Sequence, residues 1–165
     1  MWKLSRKSEY ALMVVQRLGA LGPAEQLPAS ALADDGDLPR DLTAKILQDL
    51  RQAGIVQSSR GVTGGYRLAR PLDRLAFLDV VRPFEEHLGL ADCVDGDGDC
   101  KRAEGCTLQG PVARLNHWLM GHLRGLTMAE FVGPGRGGGF AVDVPHPEFA
   151  RVSSDRLGSA RRNAL

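Results

Sequence analysis

A chain of 165 residues, 43% of them hydrophobic and with a formal net charge of +1, is long enough to bury a core of its own and reads as one soluble domain with room for an appendage. It has no run of eighteen apolar residues, which excludes a membrane-spanning helix; the cations Lys3, Arg6 and Lys7 precede an apolar stretch that Gln16 and Arg17 interrupt, so no secretory leader is expected and the protein is placed in the cytoplasm. The charge is uneven, because residues 1 to 74 hold 11 Lys or Arg against 8 Asp or Glu while residues 75 to 165 hold 10 against 12.

Residues 5 to 21 set Ala11, Val14, Val15, Leu18 and Leu21 at helical spacing. This predicts a first helix with one apolar stripe turned inward, ended by Gly22-Pro23. Residues 29 to 35 predict a short second helix with Ala31 and Leu32 inward, and Gly36-Asp37 make the turn that follows. From residue 39 to 53, Leu42, Ile46, Leu47 and Leu50 recur at helical spacing and leave Arg40, Asp41, Thr43, Ala44, Lys45 and Gln48 on the other faces. Pro39 suits a first helical turn because it has no N–H to leave unpaired, and Gly54 suits the left-handed stop. Two short strand-like runs, Ile55-Val56 and Tyr66-Arg67-Leu68, flank the glycine-rich stretch from Arg60 to Gly65, which predicts a hairpin with a basic base. A cation-bearing helix followed at once by such a hairpin is the winged helix-turn-helix layout. The helix can enter a major groove while Arg60 and Arg67 reach phosphates or the minor groove.

Beyond the hairpin, residues 75 to 88 predict a fourth helix with Leu75, Leu78, Val81 and Leu88 along one side, kinked or ended near Arg82 by Pro83. Residues 108 to 124 carry Leu108, Val112, Leu115, Leu119 and Leu123 on a single long stripe, with Trp118 and His122 at its flank. So long an apolar face on a small domain calls for a partner helix. Gly125 ends it, and Thr127 with Glu130 forms a capping box for a short last helix. Residues 133 to 165 lack any apolar period and carry two excess positive charges, as a flexible Gly/Arg-containing tail would.

Between these helices, residues 89 to 107 form an acidic, glycine-bearing loop with Cys93, Cys100 and Cys106. An odd number of thiols crowded into one aperiodic loop argues against a disulfide framework and for metal or redox chemistry. Three soft donors can wrap a soft metal centre, with zinc, an iron–sulfur cluster, or unligated thiols all open on spacing alone. Asp95, Asp97 and Asp99 imitate a calcium loop, but Cys100 stands where glycine is needed and Cys106 where glutamate is needed, so calcium is rejected. No Ser-His-Asp order, phosphate loop or paired carboxylate accompanies the thiols, which disfavours an enzyme or electron carrier.

The wording of the stretch 47 to 71, L-x-x-L-R-x-A-G-I-V-x-S-x-R-G-x-x-G-G-Y-x-L-A-R-P, resembles the IscR and NsrR type of winged-helix regulators, the Rrf2 superfamily. Leu4 to Leu12 (LSRKSEYAL), Phe77 to Arg82 (FLDVVR), the three cysteines, and Leu126 to Phe131 (LTMAEF) match in the same order, so the resemblance covers residues 1 to 132. It implies a homodimer paired through the helix at 108 to 124, a palindromic operator in double-stranded DNA, and an iron–sulfur cluster on Cys93, Cys100 and Cys106, with 2Fe-2S placed ahead of 4Fe-4S. The IscR branch uses a histidine three residues after the last cysteine, but that place is Gln109 here. The NsrR-like branch uses a carboxylate near the N-terminus, and that place is Glu9, donated across the dimer. His87, His117 and His122 are competing nitrogen donors, and His146 lies in the tail. At the base-reading positions, where the IscR branch has serine, glutamate and glutamine, this chain has Asp41, Ala44 and Lys45, so a different operator is expected.

The expectation is therefore a mainly α protein with a small β-hairpin wing. A winged helix-turn-helix spans 1–88, a cluster loop 89–107, a dimerisation helix and short final helix 108–132, and a tail 133–165. Its function would be cluster-controlled transcription regulation in response to redox state, nitric oxide or iron–sulfur status. A metal-free thiol or small-ligand sensor of the same fold is the alternative.

Overall fold

Ser5 starts the first helix: its hydroxyl accepts from the Ser8 N–H at 3.2 Å, and α1 runs over Arg6–Gly19. The computed structural model describes residues 3–22, 24–61, 64–94 and 105–133. Cys100, His146, the middle of the acidic loop and the expected tail beyond residue 133 lie outside them. Helix α1 buries Ala11, Leu12, Val14, Val15 and Leu18, together with the hydroxyl-bearing Ser8. It packs on both the third and the fourth helix.

Helices α2 (Ala29–Asp35) and α3 (Arg40–Gln52) form the helix-turn-helix. In α2 the buried pair is Leu32 and Ala33, one residue later than the expected Ala31 and Leu32. In the turn, Asp37 takes the left-handed conformation with φ of 51° while Gly36 does not. Aspartate is among the few side chains that tolerate this region. Helix α3 begins after Pro39 and ends before Gly54, whose φ is +70°, as a left-handed C-terminal residue requires. Ile46, Leu47 and Leu50 are fully buried.

One expected outer-face residue is corrected here. Thr43 is 0% exposed, and its Oγ1 donates to the Pro39 carbonyl at 3.0 Å. Bonding back to the preceding turn satisfies the hydroxyl and lets the β-branched side chain pack as an apolar one. Leu42 is the half-buried residue of that turn.

Strands β1 (Val56–Ser59) and β2 (Gly65–Leu68) pair antiparallel with Val56 opposite Leu68 and Ser59 opposite Gly65. Leu27, between α1 and α2, exchanges both backbone hydrogen bonds with Tyr66, at 3.1 and 2.8 Å. A Cβ on Gly65 would stand 2.6 Å from the Leu27 carbonyl, and one on Gly64 2.6 Å from the Ser59 oxygen. These two glycines are required by close backbone approach as much as by turn geometry.

Helix α4 covers only Phe77–Val81 and passes into a 3₁₀ turn at Arg82–Phe84. The end near Arg82 expected from Pro83 is where α4 stops, its start at Phe77 is later than the expected residue 75, and Leu88 is half-buried outside any helix. Helices α5 (Gln109–Gly125) and α6 (Met128–Val132) complete the chain. The capping box is reciprocal: the Thr127 N–H donates to Glu130 Oε2 at 2.8 Å and the Glu130 N–H to Thr127 Oγ1 at 3.2 Å. The Met128 N–H donates to the Leu75 carbonyl at 2.7 Å and the Phe77 N–H to Leu126 at 2.8 Å. The end of α5 is thereby stitched into the same core as α1 and α3, a cluster that runs from Ala11 to Met128. Among the described residues no helix is long and apolar enough to cross a membrane.

Candidate nucleic-acid interface and cysteine loop

The outer face of α3 carries Arg40, Asp41, Ala44, Lys45 and Gln48, all exposed. The inner face fixes their direction, because Ile46 and Leu47 cannot turn outward without emptying the core. Arg40 is held by a two-pronged ion pair, with Nε 3.0 Å from Asp34 Oδ1 and Nη2 2.9 Å from Asp34 Oδ2. The guanidinium at the start of the recognition helix thus has a fixed orientation and a neutralising neighbour. Lys45 makes no ion pair among the described residues, nor do Arg60 and Arg67. Arg60 is exposed at the end of β1. Arg67, on β2, lines a cleft of about 550 Å3 between the end of α1 and the turn Leu72–Arg74.

The first limb of the cysteine loop docks on α5. The Leu90 N–H donates to Asn116 Oδ1 at 3.0 Å, and the 3₁₀ turn Asp92–Val94, which carries Cys93, packs against that helix. The second limb arrives at Cys106, three residues before α5 begins. Both are free thiols, Cys93 half-buried and Cys106 exposed. No three His, Cys, Asp or Glu side chains gather as metal ligands among the described residues. Cys100, the third thiol of the loop, lies outside the described residues. Glu9 is exposed on the first turn of α1, its N–H bonded to the Ser5 carbonyl. His117 and His122 are exposed on α5, and His122 stacks on Trp118 with ring centroids 6.0 Å apart.

Residues 4–134 match the model of the family Rrf2, described as an iron-dependent transcriptional regulator. The chain belongs to the Rrf2 family. It is 33% identical over 117 residues to the HTH-type transcriptional regulator NsrR of Geobacillus kaustophilus, covering 71% of this chain and 76% of that one. It is 30% identical over 132 residues to protein aau3 of Rhizobium meliloti, covering 79% and 84%. The structure of CymR (YrzC), the global cysteine regulator of B. subtilis, superposes with a TM-score of 0.67 at 22% identity, covering 79% of this chain and 96% of that one. At that identity it speaks for the fold. This Rrf2 protein is a DNA-binding transcription regulator with a winged-helix fold.

Two polar contacts were not anticipated from sequence. Asp34 lies six residues before Arg40 in the chain, so an acid ahead of the recognition helix was a visible signal. Ser8 bonds to Glu85, 77 residues away. Its one trace in the sequence is a polar residue at helical spacing with Ala11, Leu12 and Val15, where burial demands a partner.

Proposed function

We propose that this Rrf2 regulator acts in the cytoplasm as a homodimer on a palindromic operator, and that an iron–sulfur cluster sets its operator affinity. Cys93, Cys100 and Cys106 would hold the cluster, 2Fe-2S ahead of 4Fe-4S, with Glu9 of the partner subunit as the remaining ligand. The observation that carries this reading is the placement of two free thiols at the two ends of one loop. Both limbs abut α5, and α5 leaves Leu108 and Leu115 65% and 55% exposed. Soft thiolates there fit iron better than any hard cation, and such a cluster, when bound, exchanges an electron or reacts with oxygen or nitric oxide. The apolar stripe of α5 fits a second copy of itself, as two-fold pairing requires. Arg40, Asp41, Ala44, Lys45 and Gln48 would face the major groove, with Arg60 and Arg67 on the backbone. Thr43 is withdrawn from that set by its burial.

The test is anaerobic reconstitution with iron and sulfide, followed by metal and sulfide analysis and an absorbance spectrum. Wild type should colour, and serine at Cys93, Cys100 or Cys106 should bleach it. Finding neither iron nor sulfide in the wild type would overturn the cluster and promote a second reading. In that reading the thiols themselves sense oxidants, which the exposure of Cys106 favours. It requires that oxidant alone change the operator affinity of iron-free protein.

A further inference from the structure

Glu85 occupies a position that DNA binding and metal binding leave unused. It follows the 3₁₀ turn Arg82–Phe84 and lies eight residues before Cys93. Its Oε1 accepts from the Ser5 N–H at 2.8 Å and from the Ser8 hydroxyl. The Ser5 N–H heads the first helix, where backbone donors have no partner within the helix itself. Ser8 is 0% exposed, so its hydroxyl has no water to turn to. One carboxylate thus holds both the entry and the first buried turn of α1.

We infer that Glu85 is a positioning residue, the latch through which the state of the cysteine loop reaches the recognition helix. The inference rests on the loop-sensing reading above. The chain from Glu85 to Val94 is held to α1 at its start, through Ser5 and Ser8, and to α5 further on, through the Leu90–Asn116 hydrogen bond and the packing of the turn Asp92–Val94. A displacement of Cys93 pulls on this limb. If Glu85 withdraws, the Ser5 N–H and the Ser8 hydroxyl lose their shared acceptor, and the first turn of α1 must follow or loosen. Helix α1 packs directly on α3, so its movement shifts the helix that presents Lys45. Glu9, the candidate ligand on the outer side of the same turn, makes that turn the place where inner and outer constraints meet.

The experiment uses the full chain in two states, reconstituted with iron and sulfide, and iron-free with its thiols alkylated. Affinity for a selected operator is measured in each state, and amide exchange of residues 5–12 is followed in parallel. The wild-type ratio of affinities should fall in the range of about 5- to 150-fold that coupled sites show. Ser8→Ala removes one donor without adding volume, and with Glu85→Ala should bring the ratio to within about twofold of unity, the margin within which independent effects add. Glu85→Gln keeps an acceptor oxygen and should retain most of the ratio. Exchange in the first turn of α1 should respond to alkylation in wild type and cease to respond in Ser8→Ala. A merely structural role would lower stability without changing that response. Wild-type coupling that persists unchanged in both Ser8→Ala and Glu85→Ala overturns the latch alone. A wild-type ratio of one removes the sensing reading, and the latch with it.

Discussion

Residues 6–81 and residues 105–133 handle the same kinds of side chain in opposite ways. In the first region the apolar stripes of α1, α3 and α4 close on one another, and Ile46, Leu47, Leu50, Val15 and Val80 are all 0% exposed. In the second, the later turns of α5 join the core through Leu119, Met120 and Leu123, followed by Leu126 and by Met128 of α6, while Leu108, Leu115 and Trp118 stand exposed. The recognition half is complete within one chain. The α5 half carries a face that the described residues leave exposed, and exposed stripes of this kind mark association surfaces.

A pair of leucine substitutions separates the two regions most sharply. Leu47→Ala removes a fully buried side chain and should cost about 2 to 5 kcal/mol of folding stability, independent of protein concentration. Leu115→Glu should leave the melting of dilute protein nearly unchanged and instead dissociate the proposed dimer, since its position is solvent-facing. A monomer would present one recognition helix to the proposed two-fold operator, so affinity should fall by on the order of 10³ towards the non-specific level. Sedimentation and urea titration of both variants measure this. A Leu115→Glu protein that remained dimeric would dissolve the contrast.

Within the closed half, the DNA-facing residues should divide by role. Lys45→Ala should cost about 1 to 3 kcal/mol of operator binding and relax the preference at one base position. Arg60→Ala should weaken all sequences alike and lower the salt slope by about one. Anisotropy titrations over a series of salt concentrations distinguish them. Identical behaviour of the two variants would mean that helix and wing do not divide the reading as the winged-helix geometry requires.

The recognition helix was legible because every local signal agreed: Pro39 before it, Gly54 after it, and leucines and isoleucine at one spacing. Thr43 was misassigned because hydropathy ranks threonine as polar, whereas a back-bond to the Pro39 carbonyl makes it a core residue. The break in α4 near Arg82 was legible too, because Pro83 removes the donor and the space a helix needs even though the apolar period continues to Leu88. Gly64 and Gly65 were seen as turn residues, but their closest constraint is the backbone of Ser59 and Leu27, which no local pattern reveals. The candidate site divides in the same way. The three cysteines are visible in the sequence as residues crowded into one loop, while the Ser8–Glu85 contact joins residues 77 apart and appears only once the chain is folded.

The smallest expected effect lies at the joint between the two regions, where Glu130 caps α6. Its carboxylate sits below the ordinary glutamate range. The cause is first the Thr127 N–H and then the Thr127 hydroxyl, opposed in part by desolvation, with the smallest contribution a lowering from His122. A carboxylate whose folded pKa is depressed contributes stability above its unfolded pKa, and loses that contribution as pH falls through the folded value. Acidification should therefore loosen α6 before it touches the core. Glu130 is fully solvent-exposed, so the effect belongs to the local opening of one turn and not to global unfolding. Amide exchange at residues 128–132 should quicken as pH drops from neutral to below the glutamate range, once the intrinsic pH dependence of exchange is divided out, while residues 46–50 keep their protection. Glu130→Gln should show the quickened exchange already at neutral pH and lose the acid response. An acid response retained in Glu130→Gln would assign the loosening to another group and leave the capping box without a part in holding α6 to the core.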